Sequence, residues 1–363
     1  MSLVFYDTET TGTEIFFDQI LQFAAVRTDQ DLNEIERFQV RCRLLPHVVP
    51  APAAMRVNGI KACELNDSGL PSHYEMIRSV RAKLLSWSPA LFIGWNSIAF
   101  DENLVRQALY KTLHNPYLTN SNGNSRSDAM RMARACSILA PDVLHVPKDG
   151  CDRQTFSLHP VARANGFKHG HEHDAMADVE ATIYLCRLLT EKRPDIWSLF
   201  MRFSTKAAVA AYITDESLFT FCGFLRGEPF LCIATAIGQN ERNKAEWYVY
   251  DVGVDPEPLL TLSPTELAGR LVQFPQPVRR LKSNAAPMLF PAEDAPATCT
   301  GWEHGLHELD RRAKALQADA TLRGRLVSAF QSLQEEYPGS PHIEKQIYDR
   351  FVERVDEELM EAF

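Results

Sequence analysis

An apolar run, Leu3 to Tyr6, leads straight into Asp7 and, two residues on, Glu9, in the stretch LVFYDTETTGT (residues 3–13). LVFYDTE, QILQFAAVRTD and FQVRCRL are three β-type runs at hairpin-like spacing. Residues 72–87 (SHYEMIRSVRAKLLSW) have helical periodicity, residues 90–96 (ALFIGWN) read as a short buried strand, and residues 100–113 are helical again. The pattern predicts a mixed sheet flanked by helices. Residues 115–128 (NPYLTNSNGNSRSD) are Asn- and Ser-rich and read as a loop, followed by a helix in AMRMARACSIL. PDVLHVPKDGCDRQ is a second loop, and TFSLHPVARANGF a short helix closed by Asn165-Gly166. HEHDAMADVEATIYLCRLLTEKRPD predicts a strong helix ending near Pro194, with Val179, Ile183 and Leu185 to Leu189 on its core face.

After about residue 210 the pattern changes to short strands: SLFTFCGF, EPFLCIATAIG, EWYVYDVG and PVRRLKS. One helix, SPTELAGRLVQ, opens with Ser263 and Glu266 in capping-box spacing. This predicts a β-rich second domain, and residues 303–363 return to charged helix. A length of 363 residues favours two or three domains. No apolar run approaches the roughly 18 to 20 residues of a membrane helix, so no membrane association is expected. The start MSLVFYD lacks the basic region and cleavage site of a signal peptide. The eight cysteines include no CxxC pair, which argues against a zinc ribbon or disulfide framework and for reduced thiols in a cytoplasm. A net charge of −9 argues mildly against a nucleic-acid binder. A few well-placed Lys and Arg can nevertheless serve a short strand, and catalytic carboxylates themselves add negative charge.

Candidate chemistry lies in acidic residues at strand ends and helix starts. Side chains two apart on a strand share a side, so Asp7 and Glu9 converge on one point. Asp101, in GWNSIAFDEN, follows the strand 90–96 at a helix start, and Asp178, in HDAMADVEAT, lies five residues after His173. Carboxylates gathered in one pocket need cations, and Mg²⁺ or Mn²⁺ are the hard ions that prefer oxygen ligands. Two such ions about 4 Å apart would clamp a phosphodiester. A histidine with an ordinary pKa of about 6.5 can take a proton from the attacking water.

DTETTG, NSIAFD and HDAMAD stand in the order D-x-E-T-x-G, N-x-x-x-F-D, H-D-A-x-x-D and resemble the DEDDh (DnaQ-like) 3′→5′ exonuclease superfamily over about the first 190 residues. VNGI at 57–60 resembles its substrate-side loop, and SRSDAMRMARAC carries Asp128, a frequent family aspartate of structural character. HDAMADVEATIYL, SRSDAMRMARAC and QFAAVRTD resemble the bacterial exonuclease I family in particular. The resemblance implies an α/β fold: a ribonuclease H-like mixed sheet flanked by helices (1–195), an SH3-like β-rich domain (196–302) and a C-terminal helical segment (303–363). That segment ends where the family's third domain would continue, so the expectation is a shortened helical domain. The resemblance further implies that Asp7, Glu9 and Asp178 hold two Mg²⁺ ions, for which Mn²⁺ can substitute, with Asp7 bridging both. Asp101 would support the second ion through water, and His173 would be the general base. Backbone amides at Glu9 and Thr10 would meet the 3′ hydroxyl, with Thr10, Gly12, Asn58, Asn96, Phe100 and Arg126 as substrate contacts.

The leading expectation is a monomeric enzyme of DNA repair or recombination that removes 5′-mononucleotides from the 3′ end of single-stranded DNA, with single-strand-binding protein as a protein partner. LRG (225–227) and PVRRLKSN (277–284) offer the positive charge of a strand-holding groove. Two alternatives stay open: a DEDDh exoribonuclease trimming RNA 3′ ends, and a non-catalytic nucleic-acid-binding protein on the same scaffold.

Overall fold

The computed structural model describes residues 2–168, 174–225, 228–334, 339–349 and 352–362. The chain divides into two compact units, Met1–Met130 with Thr155–Glu191 and Pro338–Phe363, and Arg131–Gln154 with Lys192–Tyr337.

The first unit is built on β1 (Ser2–Thr10), β2 (Ile20–Thr28), β3 (Glu34–Arg41), β4 (Ala90–Gly94) and β5 (Ser125–Asp128). Their order is β3-β2-β1-β4-β5, with β1–β2 and β2–β3 antiparallel and β1–β4 and β4–β5 parallel. This is the ribonuclease H-like mixed sheet. β1 is central because its residues Leu3 to Tyr6 are apolar on both faces, as a strand covered on two sides requires. Val4 and Tyr6 pack with Met76, Ile77 and Val80 of helix His73–Trp87 and with Leu104 and Val105 of helix Asp101–Lys111. Helix His73–Trp87 begins at a capping box in which Ser72 and Glu75 satisfy each other's backbone N–H groups.

β4 pairs with β1 only as far as Phe5, so the segment Tyr6 to Thr10 runs past the end of β4. The chain then turns sharply: a Cβ on Gly94 would fall 2.9 Å from the Tyr6 carbonyl oxygen and 2.6 Å from Ser97 Cβ. That close approach brings the start of helix Asp101–Lys111 against the free end of β1. Trp95 Nε1 donates to the Phe156 carbonyl at 2.7 Å, which ties the same turn to the segment entering helix Leu158–Ala164.

Residues 115–128, expected as a loop, end in a strand instead. The SRSD segment of β5 is polar in sequence but buried, because Arg126 and Asp128 find polar partners inside the fold. Arg126 Nη1 donates to Glu102 Oε1 at 2.8 Å, and Asp128 accepts backbone N–H bonds from Asn96 and Met130. Glu102 is the hub of that interior. It also accepts from Arg106 (2.9 Å), the Thr119 hydroxyl (2.6 Å) and the Tyr6 hydroxyl (3.1 Å), joining β1, β5 and helix Asp101–Lys111. Burial alone would push its pKa up, but the Arg106 and Arg126 charges and the Thr119 and Tyr6 hydrogen bonds outweigh burial and hold it below the ordinary value.

The second unit carries an all-antiparallel sheet of β6 (Phe219–Leu225), β7 (Glu228–Gln239), β8 (Glu246–Asp251), β9 (Val278–Lys282) and β10 (Met288–Pro291), in the order β10-β6-β7-β8-β9. Ile233, Ile237, Tyr248 and Tyr250 share a core with Leu309, Leu316 and Leu326 of helices Gly305–Ala318 and Ala320–Ser332. Phe219, Cys232, Ala234 and Val249 form a separate core with Val209, Tyr212 and Ile213 of helix Lys206–Asp215. The expected capping box at Ser263 and Glu266 is present. Residues 303–363, expected as one helical segment, do not form a body of their own. Their first two helices cover the second sheet, while residues from Pro338 onward belong to the first unit. There Gln107 Nε2 donates to the Glu344 carbonyl at 2.8 Å.

Replacing Glu102 by alanine leaves the buried Arg106 and Arg126 guanidinium groups without their shared carboxylate. Glu102→Ala is predicted to lower unfolding stability by about 3–5 kcal/mol. Urea denaturation followed by circular dichroism measures it; an unchanged midpoint would contradict the hub role.

Candidate active site

Asp7 and Glu9 project from the free end of β1, and Asp178 from the first turn of helix Ala175–Lys192. One ligand oxygen from each lies within 4.8 Å of the other two. Asp101, the first residue of helix Asp101–Lys111, joins them around a cavity of about 180 Å³ that Asn96 and Phe100 also line. Strand alternation explains the division of labour. Asp7 and Glu9 point to the face met by Asp178, whereas Thr8 points to the face shared by Val4, Tyr6 and Asp101. Thr8 Oγ1 donates to Asp101 Oδ1 at 2.6 Å.

Four carboxylates this close resist ionisation together. Burial pushes Asp7 well above the carboxylate range, and Asp101, Asp178, Glu9 and Asp174 push it further. Glu9 is raised to about 8 by burial and by Asp178, Asp101 and Asp174, against the pull of Arg41. Asp178 rises to about 7 through burial, Asp101 and Asp174. Asp101 rises to about 7 mainly by burial, opposed by its hydrogen bond from Thr8. Asp174 moves the other way. Burial raises it, but the Gln22 side chain, the Met176 and Ala177 backbone N–H groups and the Arg41 charge bring it below the ordinary value. Those contacts, Gln22 Nε2 at 2.9 Å and Arg41 Nη2 at 3.1 Å, fasten the start of helix Ala175–Lys192 to the sheet.

The donor set fits a hard divalent cation: every ligand is a carboxylate oxygen, and the group carries more negative charge than the site can hold alone. Asp178 Oδ1 is buried without a hydrogen-bond partner, with His159 Nε2 3.4 Å away.

The remaining expected contacts divide by position. Asn96 adopts a left-handed turn conformation (φ 61°), and its backbone N–H donates to Asp128 at 2.9 Å. Phe100 lines the cavity and also packs against the core. Thr10, Gly12 and Asn58 are linked to one another beyond Glu9 and do not line the cavity. Thr10 Oγ1 donates to the Gly12 carbonyl at 2.7 Å, and Asn58 Nδ2 donates to the Thr10 carbonyl at 3.1 Å. A Cβ on Gly12 would lie 2.4 Å from an Asp18 carboxylate oxygen, so a larger residue there would displace Asp18 from its hydrogen bonds with Thr11 and Glu14. Arg126 is a correction. It faces Glu102 inside the fold, its charge neutralised there, and does not line the cavity. His173 lies outside the described residues.

Thr8, His159 and Asp174 were not singled out from the sequence. Thr8 is flanked by the two strand carboxylates and Asp174 directly follows His173, so adjacency was the available signal; His159 had none.

Because the folded-state pKa values of Glu9, Asp101 and Asp178 are raised, the folded state binds more protons than the unfolded state between about pH 4 and pH 8. Stability without cations therefore falls as pH rises through that window. Thermal melts in chelator are predicted to show a lower Tm at pH 8 than at pH 5, with Mg²⁺ or Mn²⁺ raising Tm more at pH 8. An equal cation effect at both pH values would contradict this origin.

Over residues 4–186 the chain matches the Exonuclease family (RNase_T). It is 29% identical to exodeoxyribonuclease I of Haemophilus influenzae, over 99% of this chain and 79% of that protein. The fold superposes with a TM-score of 0.84 on the moderately thermophilic exonuclease I of Methylocaldum szegediense, 27% identical over 99% of this chain and 78% of that one. It also superposes with a TM-score of 0.83 on Escherichia coli exonuclease I in complex with a 5cy-dA13 oligonucleotide, 25% identical over 99% and 79%. The family match spans half of the chain, runs from β1 to helix Ala175–Lys192 and includes every carboxylate of the cluster: this protein belongs to the exonuclease family.

Proposed function

We propose that this protein is a Mg²⁺-dependent exonuclease that hydrolyses single-stranded DNA from its 3′ end and releases 5′-mononucleotides. The observation that carries the reading is the convergence of Asp7, Glu9 and Asp178 within 4.8 Å, with Asp101 on the same cavity. Asp7, Glu9 and Asp178 would hold two divalent cations, with Asp7 shared between them and Asp101 supporting the second. Bound divalent cations supply charge stabilisation for the reacting phosphate and acidify water. His173 is assigned to take the proton from the attacking water. The water oxygen then bonds to phosphorus as the P–O3′ bond breaks, and O3′ takes a proton from solvent, leaving a shortened strand with a 3′ hydroxyl and a free 5′-mononucleotide. Asn96 and Phe100 are assigned to the terminal nucleotide, and Thr10, Gly12 and Asn58 to the shape of the backbone beyond Glu9.

The named exodeoxyribonuclease I relatives and the oligonucleotide complex of one of them support DNA as substrate. The second unit supports single strands in particular. A cavity of about 420 Å³ there gathers Arg131, Arg134, Arg279 and Arg280 with Phe221, Phe224 and Phe230. The Arg134 guanidinium lies 3.6 Å from the Phe224 ring centre and that of Arg279 lies 4.1 Å from Phe230. Guanidinium and aromatic surface together suit an unpaired, stacked strand. Arg279 and Arg280 belong to the basic stretch 277–284 expected for this purpose, while Arg226 of the other stretch lies outside the described residues. We assign the hydrolysis to residues 1–195, apart from Arg131 and Arg134 of the second unit, and strand holding to residues 196–302 together with those two arginines. Single-strand-binding protein is the proposed protein partner, on the strength of an SSB/exonuclease I structure among the relatives. The cytoplasm is the proposed location, and eight free thiols suit a reducing compartment.

A 5′-labelled single-stranded DNA incubated with Mg²⁺ is predicted to yield a ladder shortening from the 3′ end, abolished by chelator and by Asp178→Ala. Faster loss of matched RNA would transfer the assignment to an exoribonuclease, and binding without cleavage would indicate a non-catalytic scaffold. His173→Ala is predicted to slow cleavage by about 10²–10⁴-fold while Mn²⁺ binding, measured by calorimetry, persists. An unchanged rate near neutral pH would remove His173 from the role of base.

A further inference from the structure

Asp101 differs from the other three acids of the cluster. It comes from the opposite side of β1, lies outside the group of three converging ligand oxygens, and still borders their cavity. A carboxylate's terminal torsion is broad, and the contacts on this one include its own backbone N–H and the backbone N–H of Thr8, but the hydrogen bond with the largest effect comes from the side chain of Thr8. Its hydroxyl reaches Asp101 Oδ1 at 2.6 Å, within the range of a charge-assisted O–H···O⁻ bond, and both side chains are buried. β1 therefore presents two carboxylates to one face and, from the residue between them, a hydroxyl donor to the other. The hydroxyl sits on the same rigid strand as Asp7 and Glu9, so it registers a side chain of helix Asp101–Lys111 against both.

We propose that Thr8 is the positioning residue for Asp101: its hydroxyl sets the carboxylate in the one orientation that supports a cation held by Asp7, Glu9 and Asp178. This inference rests on the cation-binding reading of the cluster. A valine at position 8 keeps the shape and removes the donor, whereas a serine keeps the donor.

Mn²⁺ binding to the full chain, followed by electron paramagnetic resonance, tests it with wild type, Thr8→Val, Thr8→Ser, Asp101→Asn and the Thr8→Val/Asp101→Asn double variant. Wild type is expected to show two affinity classes. Thr8→Val is expected to weaken the looser class by about 10- to 100-fold, the scale of lost support around a metal ligand, and to leave the tighter class within about twofold. That retained class also reports that the variant is folded. Thr8→Ser is expected to restore the looser class, and the double variant to be no weaker than Asp101→Asn alone. The Mg²⁺ concentration giving half-maximal cleavage should shift in parallel. Wild-type binding in Thr8→Val beside weakened binding in Asp101→Asn would overturn the role of Thr8 and leave the cation reading intact. No Mn²⁺ binding by wild type would overturn both.

Discussion

Mutual repulsion among buried carboxylates is the constraint around which the first unit is organised. Asp7, Glu9, Asp101 and Asp178 are held where each makes it harder for the others to ionise, and burial adds to the effect. An unsupported group of this kind would move apart or stay protonated. Here the elements that carry it are fastened from behind by apolar packing and by buried polar contacts centred on Glu102. The strain is thereby converted into affinity for cations, and a rigid backbone keeps the distances short enough for one ion to meet several oxygens.

The fastening is polar as well as apolar, and it runs through residues adjacent to the acids. Tyr6 precedes Asp7 and Glu102 follows Asp101, and the two side chains bond to each other. Glu102 also draws in Arg106, Arg126 and Thr119, so a single carboxylate ties the central strand, an edge strand and a helix. Asp128 holds the turn that carries Asn96, and Asp174 pins the helix of Asp178 to Gln22 and Arg41. Acids near the site thus fall into two kinds. Glu102 and Asp174, each met by arginine and by hydrogen-bond donors, are held below the ordinary value, whereas Asp7, Glu9, Asp101 and Asp178 are raised by burial and by neighbouring acids.

The second unit follows a different logic. Its antiparallel sheet is covered on one face by helices Gly305–Ala318 and Ala320–Ser332 and on the other by helix Lys206–Asp215. Arg134 and Arg279 rest on phenylalanine rings at the wall of a cavity, and the largely buried Arg279 also lies 4.0 Å from the Asp251 carboxylate. An acidic protein can in this way concentrate positive charge locally despite a net charge of −9.

Much of the site is legible in one dimension. Strand alternation alone puts Asp7 and Glu9 on one side, helical periodicity gives Asp178 an inward helix, and the spacing of Ser263 and Glu266 foretells a helix start. These features depend on bonds within a few residues of each other, so local sequence contains them. What the sequence could not show is which distant group a polar side chain would find. Arg126 reads as a substrate contact until Glu102 is seen beside it, and SRSD reads as a loop until Arg126 and Asp128 are found paired inside the fold. The Thr8–Asp101 bond and the approach of His159 to Asp178 join residues on different elements, set by where β4 stops and how the chain turns at Gly94. Local periodicity determines the face a residue presents. Only tertiary packing decides what meets it there, because burial makes each polar group's free energy depend on a partner elsewhere in the chain.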